Sequence, residues 1–346
     1  MSNDNPKHRT RKKLGGREQA VGGREKAVSD EEYSNGDVVG GRYMVLEKLG
    51  KGGFSNAYSV FDMRRNSTLA LKVEKEGRHA LEAEFGILKH LEALGVDGVP
   101  AAYEFFSFRN NSAMTMDMKG PNLKAVAVSE GGVLSVATIS LLLVQILGIL
   151  RQVHDAGYVH RDIKPHNIVC DPDNSINGCF KVYLIDFGLT TRYVNKSGEH
   201  LPRGEKACQK GTRGYMSISC HRQGQPSRRD DMESLAYTAA KLLLGGLPWS
   251  RMRLKMMSHR RIAKIKERIR PEDIFAGMPE AFPRFLRYAR SLRYDQEPDY
   301  VPWQKVFLEV SQEQQHAPAD ASEVSNITCE QDAGRGGNAS LHNYFS

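Results

Sequence analysis

The sequence predicts an α+β fold of two unequal lobes: a small antiparallel-sheet lobe with one helix, followed by a larger, mostly helical lobe. Over 43–118, short runs alternate apolar and polar residues ("YMVLEKLG", "LALKVE", "SAMTMDM"), which is the period-two pattern of strands. Beyond Gly120 the apolar runs are longer, as is typical of buried helices. Gly120 and Pro121 interrupt regular structure between these two regions. We therefore place the small lobe at about 41–118 and the helical lobe at about 119–310.

Both ends of the chain differ in composition from this region. Residues 1–40 contain a cluster of lysines and arginines and two copies of a short glycine-led repeat ("GGREQAV", "GGREKAV"), which are too few to build a repeat fold. Residues 311–346 are polar and rich in Gly, Ala and Ser, a composition that does not support a hydrophobic core. We expect a disordered basic tail and linker over 1–40, one folded domain over 41–310 and a disordered polar tail over 311–346.

Charge and cysteine content limit the classes of partner and compartment. The formal charge of +8 favours acidic or phosphorylated partners. Nucleic-acid binding would depend on the N-terminal basic cluster alone, without aromatic or groove-reading elements, so we expect none. The 5 cysteines are scattered and form no C-x-x-C pair, which indicates neither a zinc site nor a disulfide framework. With no signal peptide visible, a cytoplasmic monomer is expected, and the basic cluster would also allow nuclear import.

The segment 133–150 ("VLSVATISLLLVQILGIL") carries no charge and approaches membrane-spanning length. It contains Ser135, Thr138, Ser140 and Gln145 and continues directly into a polar stretch. A buried helix of a large domain is the preferred interpretation, with a membrane-spanning helix as the alternative. We expect no membrane association.

The stretch "LGKGGFSNAYSV" crowds Gly50, Gly52 and Gly53 together, with Ser55 where another glycine would complete G-x-G-x-x-G. Such a stretch is either a loop that cradles phosphates or a flexible hairpin. Taken alone, it does not distinguish these two interpretations.

The stretch "VHRDIKPHNIV" places His160, Arg161 and Asp162 ahead of Lys164 and Asn167. This order and spacing match H-R-D-x-x-x-x-N, the catalytic loop of protein kinases, and on this motif the chain resembles the eukaryotic protein kinases. A carboxylate at Asp162 would orient the attacking hydroxyl and accept its proton. Lys164 would offset negative charge on the transferred phosphoryl group, and the amide oxygen of Asn167 suits a Mg²⁺ ion.

A second motif, "YLIDFGL", ends an apolar strand at Asp186. A carboxylate at the end of a buried strand is best explained by a cation, and Asp186 with Asn167 would hold Mg²⁺ beside the phosphates of ATP. The alternative, an Asp that merely starts a turn, does not explain the hairpin-like segment between this motif and the catalytic loop.

Two charged residues of the small lobe would complete the site. Lys72, on the strand after the glycine-rich stretch, should contact the α- and β-phosphates, while Ala57 and Ala70 are small enough to admit an adenine ring. Helical spacing in "HALEAEFGILKHLEAL" puts Glu84, but not Glu82, on the apolar stripe. A carboxylate on such a stripe needs a cation, for which Lys72 is the candidate; a partly exposed Glu84 is the alternative.

Downstream segments narrow the resemblance. The sequence "Asp-Ile-Lys-Pro" after His160-Arg161 resembles Ser/Thr kinases. The stretches "KGTRGYMSISCHRQGQPSRRDDMESLAY" and "GGLPWS" resemble the casein kinase I superfamily, and "MTMDMKGPNL" with "KIKERIRPED" resembles its tau-tubulin kinase branch. The resemblance covers about Gly41 to Val310. It implies the bilobal eukaryotic protein kinase fold and a Ser/Thr protein kinase that uses ATP and Mg²⁺ to phosphorylate proteins.

The resemblance also implies a set of nucleotide-binding residues. Met116 would be the gatekeeper, Asp117 and Met118 the adenine-binding hinge, and Val169 with Ile185 the floor of the pocket. Asp231 would brace the catalytic loop from a buried helix; taken alone, it could equally be an Asp at the start of a helix. The implied cofactor-binding set is Leu49, Gly50, Lys51, Gly52, Gly53, Phe54, Ser55, Asn56, Ala57, Ala70, Lys72, Glu84, Met116, Asp117, Met118 and Val169.

Two departures from the family pattern leave an alternative open. Ser55 replaces a loop glycine, and Gly214 stands where the family has an arginine, with Arg213 one place earlier. The second change puts binding of a phosphorylated substrate group in doubt, although the region stays basic. Together they suggest a nucleotide-binding pseudokinase scaffold as the rival function. Retention of both motifs and of Lys72 and Glu84 argues against it.

Overall fold

A computed structural model of the protein describes residues 32–75, 80–109, 111–176, 179–204 and 209–316. Their first part is a six-stranded antiparallel sheet in the order β1-β2-β3-β4-β6-β5, with one helix inserted after β4. The elements of this small lobe are β1 (Val38–Val39), β2 (Tyr43–Lys51), β3 (Ser55–Asp62), β4 (Ser67–Glu74), α1 (Leu81–Ala93), β5 (Ala102–Phe108) and β6 (Asn111–Asp117).

The remainder is mostly helical. It contains α2 (Leu123–Ser129), α3 (Val136–Asp155), β7 (Tyr158–Val159), β8 (Ile168–Ile176), β9 (Cys179–Leu184), β10 (Thr191–Arg192), α4 (Ile218–His221), α5 (Arg228–Leu244), α6 (His259–Arg268), α7 (Pro271–Ile274), α8 (Ala281–Ser291) and α9 (Tyr300–His316). The strands form two short antiparallel pairs, β7 with β10 and β8 with β9. The predicted two-lobed α+β fold is confirmed.

Helix α3 is the apolar segment that approaches membrane-spanning length. By length and composition it could cross a membrane, but its apolar side chains, among them Ile139, Leu142, Ile146 and Leu150, are buried against the rest of the helical lobe. Ser135 caps its first turn by accepting a hydrogen bond from the Thr138 N–H. The helix is therefore the buried core helix that the sequence favours.

Helix α1 shows the predicted face. Leu81, Leu88 and Leu91 are buried with Glu84, whereas Glu82 is exposed. The spacing of apolar residues thus places one carboxylate of the helix inside the protein and leaves its neighbour in water.

The ordered region extends beyond 41–310 at both ends. Tyr33 is buried, with its ring edge-on to Tyr58 at a centroid distance of 5.6 Å, and Val39 pairs with Tyr43. Helix α9 continues through His316. The described fold therefore includes 32–40 and 311–316, which the composition assigns to the tails, because β1 joins the sheet and α9 packs on α3. The remaining parts of the two tails, 1–31 and 317–346, lie outside the described residues.

Candidate active site

A cleft of about 440 Å³ lies where the sheet meets the helical lobe. Apolar walls come from both lobes, with Leu49, Ala57 and Ala70 contributed by the sheet and Val169 and Ile185 by the helical side. The hinge residues predicted from the sequence also line it, namely Met116, Asp117 and Met118. This apolar slot has the size and composition of a small-molecule site.

The charged end of the cleft is organised around one ammonium group. Lys72 Nζ donates to both carboxylate oxygens of Glu84, at 2.8 and 2.7 Å, and to Asp186 Oδ1 at 2.8 Å. Glu84 is only 3% exposed and also accepts the Phe187 N–H at 3.1 Å. Helix α1 therefore fixes the position of Lys72, as the stripe argument predicts.

These contacts set the charge states. Burial opposes a charge on Lys72, but the carboxylates of Asp186 and Glu84 raise its pKa above the usual value. Burial alone would raise the pKa of Asp186, yet the Lys72 ammonium lowers it to about 2. The side chain of Asp186 is 44% exposed, so an ionised carboxylate faces the cleft at neutral pH.

The catalytic-loop residues meet at the same end. Asp162 Oδ2 accepts from Lys164 Nζ at 2.6 Å and from Asn167 Nδ2 at 3.2 Å. Asp162 Oδ1 accepts the Thr212 N–H at 2.9 Å, and Lys164 also donates to the Thr212 hydroxyl at 3.1 Å. Asp162 is 7% exposed. Its carboxylate is thus held by neighbours on three sides.

Buried groups beneath the loop hold its backbone. Asp231, on α5, accepts the N–H of His160 at 2.7 Å and of Arg161 at 2.8 Å, which is the bracing role implied by the resemblance. His154 adds a contact to Asp231 at 3.0 Å. The His160 ring packs edge-on against Phe187, 4.9 Å away. His154 was not singled out by the sequence, because only the fold brings it under the loop.

The glycine-rich stretch forms the β2–β3 hairpin over the cleft. Gly50, Lys51, Gly52, Gly53 and Ser55 line the main cleft. Phe54 lines an adjoining cavity of about 420 Å³ that also contains Asp162 and Lys210. Ser55 does not adopt a positive φ in the described backbone, so a side chain there causes no left-handed strain.

One implied cofactor residue lies elsewhere. Asn56 does not line either cavity and is 5% exposed. Side chains alternate along β3, so Ser55 and Ala57 face the cleft while Asn56 and Tyr58 point to the opposite face. The assignment of Asn56 to the nucleotide site stays a prediction, and the orientation of its side chain does not support it.

Several lining residues were not predicted. Leu71, Lys119, His166 and Thr212 also border the cleft. Lys119 follows the hinge and places its ammonium over the Tyr183 ring at 4.1 Å. Thr212 belongs to the "GTR" motif, so the sequence could have indicated it. No sequence pattern indicates Lys119, because the residue that it contacts on β9 is distant in sequence.

The displaced arginine of the downstream segment has internal partners. Arg213 donates to the carbonyl oxygens of Leu254 at 2.8 Å and Met257 at 2.6 Å. Its guanidinium therefore fixes the loop between α5 and α6.

The donor set suits a magnesium nucleotide. Asn167 uses its Nδ2 to hold Asp162, which leaves Oδ1 as the atom for a cation, and Asp186 supplies an ionised carboxylate. Lys72 offers a fixed positive charge to phosphate oxygens. Gly52 lets the loop fold tightly, since a Cβ there would lie 3.0 Å from the Ser55 carbonyl oxygen.

Comparison with known proteins agrees with this geometry. The protein kinase domain model matches residues 43–293. Casein kinase I homolog 2 of Schizosaccharomyces pombe is 33% identical over 280 residues, covering 80% of this chain and 64% of that protein. Casein kinase I homolog 1 of the same yeast is 32% identical over 277 residues, 79% of this chain and 62% of that protein.

A probable serine/threonine-protein kinase of Dictyostelium discoideum is 31% identical over 272 residues, 78% of this chain and 53% of that protein. The chain thus spans between about half and two thirds of the length of these relatives. The predicted resemblance to casein kinase I proteins is confirmed, and the tau-tubulin kinase branch stays a prediction. The chain belongs to the protein kinase domain family.

Proposed function

We propose that the protein is an active Ser/Thr protein kinase that transfers the γ-phosphoryl group of Mg-ATP to a protein hydroxyl. The observation that carries this proposal is that Asp162 and the Lys72–Glu84–Asp186 group line one cavity, the one of about 420 Å³ that adjoins the cleft. A scaffold that only binds a nucleotide has no need for the Asp162 carboxylate.

Each residue has a distinct task in this proposal. Asp162 orients the acceptor hydroxyl and takes up its proton, and Lys164, bound to Asp162 at 2.6 Å, places a positive charge beside the transferred group. Lys72 positions phosphate oxygens. Asn167 and Asp186 would hold Mg²⁺, which neutralises charge between the phosphates when bound.

The preferred substrates are acidic or phosphorylated segments of proteins. The cavity around Asp162 includes the exposed Lys210, and Arg222, Arg228 and Arg229 lie on α4–α5 nearby in sequence. Arg222 pairs with Glu267 and Arg228 stacks on Tyr193. Lys206 lies outside the described residues. We also propose that this protein belongs to the tau-tubulin kinase-like branch and is a monomer. In this proposal it binds neither nucleic acid nor membrane and works in the cytoplasm or nucleus.

Phosphotransfer to a peptide library tests the proposal. The purified protein, γ-labelled ATP and Mg²⁺ should label serine or threonine peptides, with acidic or phosphorylated residues enriched beside the acceptor. Nucleotide binding without any transfer to the library would instead support the pseudokinase scaffold, which Ser55 and Gly214 suggest.

A further inference from the structure

A fully buried lysine contacts the segment 211–217, which includes Thr212 of the cleft. Lys266, on α6, is 0% exposed. Its Nζ donates to three carbonyl oxygens of one short stretch of chain, those of Arg213 at 3.1 Å, Gly214 at 3.0 Å and Met216 at 2.5 Å. An ammonium group has three N–H donors, so these carbonyls use all of them.

Burial lowers the pKa of Lys266 to about 7; Glu233 opposes this shift and Arg290 adds to it. Two aromatic rings favour the charged form. The Lys266 ammonium lies 4.6 Å from the centre of the Tyr237 ring and 5.0 Å from that of Trp249, which are cation–π distances. No carboxylate oxygen of the described residues lies within ion-pair distance of Nζ, although Glu233 attracts the charge from further away. The carbonyl groups of the segment are therefore the direct partners of the buried Lys266 amino group.

The same carbonyls receive other donors from the helical lobe. Trp249 Nε1 donates to the Gly214 oxygen at 2.9 Å, and His221 Nε2 lies 3.1 Å from the Arg213 oxygen. The backbone of 213–216 thus has its carbonyl groups turned inward. Its conformation is therefore fixed by side chains of the helical lobe that donate to these carbonyl groups.

The segment reaches the catalytic residues directly. Thr212 donates its N–H to Asp162 Oδ1 at 2.9 Å, and its hydroxyl accepts from Lys164 at 3.1 Å. Within the segment, the N–H groups of Tyr215 and Met216 both donate to the Thr212 carbonyl at 2.9 Å. A shift of 213–216 would therefore be transmitted to the Asp162 carboxylate.

The backbone of Lys266 is fixed as well. Arg290, on α8, donates to the Lys266 carbonyl oxygen at 3.0 Å and to the Tyr237 hydroxyl at 3.1 Å. The Tyr237 hydroxyl donates to Glu233, which also accepts the Ile218 N–H at 3.1 Å. The lysine is thus held at both ends, and it connects α6 and α8 to the segment.

We propose that Lys266 is a positioning residue for the protein substrate: its buried ammonium holds segment 211–217 in the conformation that docks the acceptor peptide beside Asp162. The peptide-docking part of this statement rests on the proposed kinase function. The positioning part concerns the backbone alone, and it can be measured in the absence of any phosphotransfer.

Amide hydrogen exchange of the full-length protein tests the positioning. In Lys266→Met, the N–H groups of Tyr215 and Met216 should exchange at least about tenfold faster, since three hydrogen bonds to their segment are lost. Exchange in the β2–β3 hairpin should not change. The matched control is Lys264→Met, on the exposed face of the same helix, which should exchange like the wild type. Unchanged exchange of 211–217 in a folded Lys266→Met protein overturns the proposal.

Kinetics then test the link to substrate. Lys266→Met should raise the peptide KM and lower kcat, together about ten- to a hundredfold in kcat/KM, with the ATP KM within about twofold of the wild type. A parallel rise in both KM values would mean general loosening and would overturn the docking role. If the wild type itself transferred no phosphate, the proposed kinase function would be wrong. The hydrogen-exchange experiment would still decide whether Lys266 positions the segment.

A second variant covers the case in which Lys266→Met does not fold. Lys266→Gln keeps two N–H donors for three carbonyls and removes the charge. We expect the N–H groups of Tyr215 and Met216 to exchange faster in Lys266→Gln than in the wild type. Exchange equal to that of the wild type would show that the ammonium is not needed, which contradicts the proposal.

Discussion

The ammonium of Lys72 connects three elements at the scale of single residues. It is bound by Glu84 from α1 and by Asp186 just after β9. Removal of the cation leaves both carboxylates without it, and removal of the α1 carboxylate leaves Lys72 with Asp186 alone. We expect Lys72→Met to abolish phosphotransfer and Glu84→Gln to lower kcat/KM by about tenfold or more.

The matched control for this pair is Glu82→Gln, two residues before Glu84 and on the exposed side of α1. It should leave kcat/KM within about twofold of the wild type, since surface charges contribute little. Steady-state kinetics with a fixed peptide decide the matter. Equal damage from Glu82→Gln and Glu84→Gln would contradict the assigned helix face.

Two adjacent glycines of the β2–β3 hairpin should respond differently to alanine. A Cβ at Gly52 would lie 3.0 Å from the Ser55 carbonyl oxygen, which also accepts the Gly52 N–H at 2.9 Å; a Cβ at Gly53 would have no atom within 4 Å. Gly52→Ala should therefore raise the ATP KM several-fold, which corresponds to about 1 kcal/mol, and leave the peptide KM unchanged. Gly53→Ala, measured in parallel, should bind ATP like the wild type, and the reverse ranking would contradict this geometry.

At this scale the sequence predicts residues whose neighbours are close in the chain. Glu84 follows from helical spacing, and Asp162 with Asn167 from a contiguous motif. Asn56 enters the predicted set because a motif covers consecutive residues, whereas a strand presents only every second side chain to one face. Lys266 carried no signal, because its carbonyl partners are separated from it by two helices.

At the scale of secondary structure, α5 supports the catalytic loop through one carboxylate. Asp231 uses both oxygens for the N–H groups of His160 and Arg161. In Asp231→Asn an amide NH₂ would replace one acceptor and face a backbone donor. We expect kcat to fall by about tenfold or more with the nucleotide Kd within a few-fold. Asp155→Asn, at the exposed end of α3, serves as the control; wild-type kcat in Asp231→Asn would contradict the bracing role.

The sheet is held by a buried ion pair at the far end of β3. Asp62, whose side chain is 0% exposed, accepts from Arg42 Nε at 2.7 Å and Nη2 at 2.6 Å. The Arg42 guanidinium lowers the pKa of Asp62 to about 2, from an ordinary value of 3.8. Its stabilisation is therefore present above about pH 4 and is lost as the pH falls through 2.

We expect Asp62→Asn to lower the free energy of unfolding by about 2 kcal/mol at pH 7, measured by urea denaturation. The difference from the wild type should shrink towards pH 2, as the native carboxylate becomes protonated. Asp97→Asn, which breaks the exposed pair with Lys181, should cost less than about 1 kcal/mol. A pH-independent difference for Asp62→Asn would contradict the ion-pair explanation.

At the scale of the whole molecule, the hydrophobic patterns predict the two lobes and the buried nature of α3. They do not predict where the domain ends. Trp303 and Phe307 of α9 are buried, and burial continues to Ser311, just past 310, before the exposed residues 312–315. The composition of this last stretch alone resembles a tail. Tyr33 likewise joins the sheet lobe through a ring contact with Tyr58, which is remote in sequence.

The central claim is that this kinase-family chain catalyses phosphotransfer through Asp162. The most direct test is single-turnover transfer of labelled phosphate from ATP to a serine peptide by the wild type and by Asp162→Asn, with nucleotide Kd measured for both. The substitution keeps the shape of the side chain but removes the carboxylate that takes up the proton. We predict transfer by the wild type, a loss of about 10²- to 10⁴-fold in Asp162→Asn, and a nucleotide Kd that changes only a few-fold. Wild-type turnover in Asp162→Asn, or a wild type that binds nucleotide and transfers nothing, would contradict the claim.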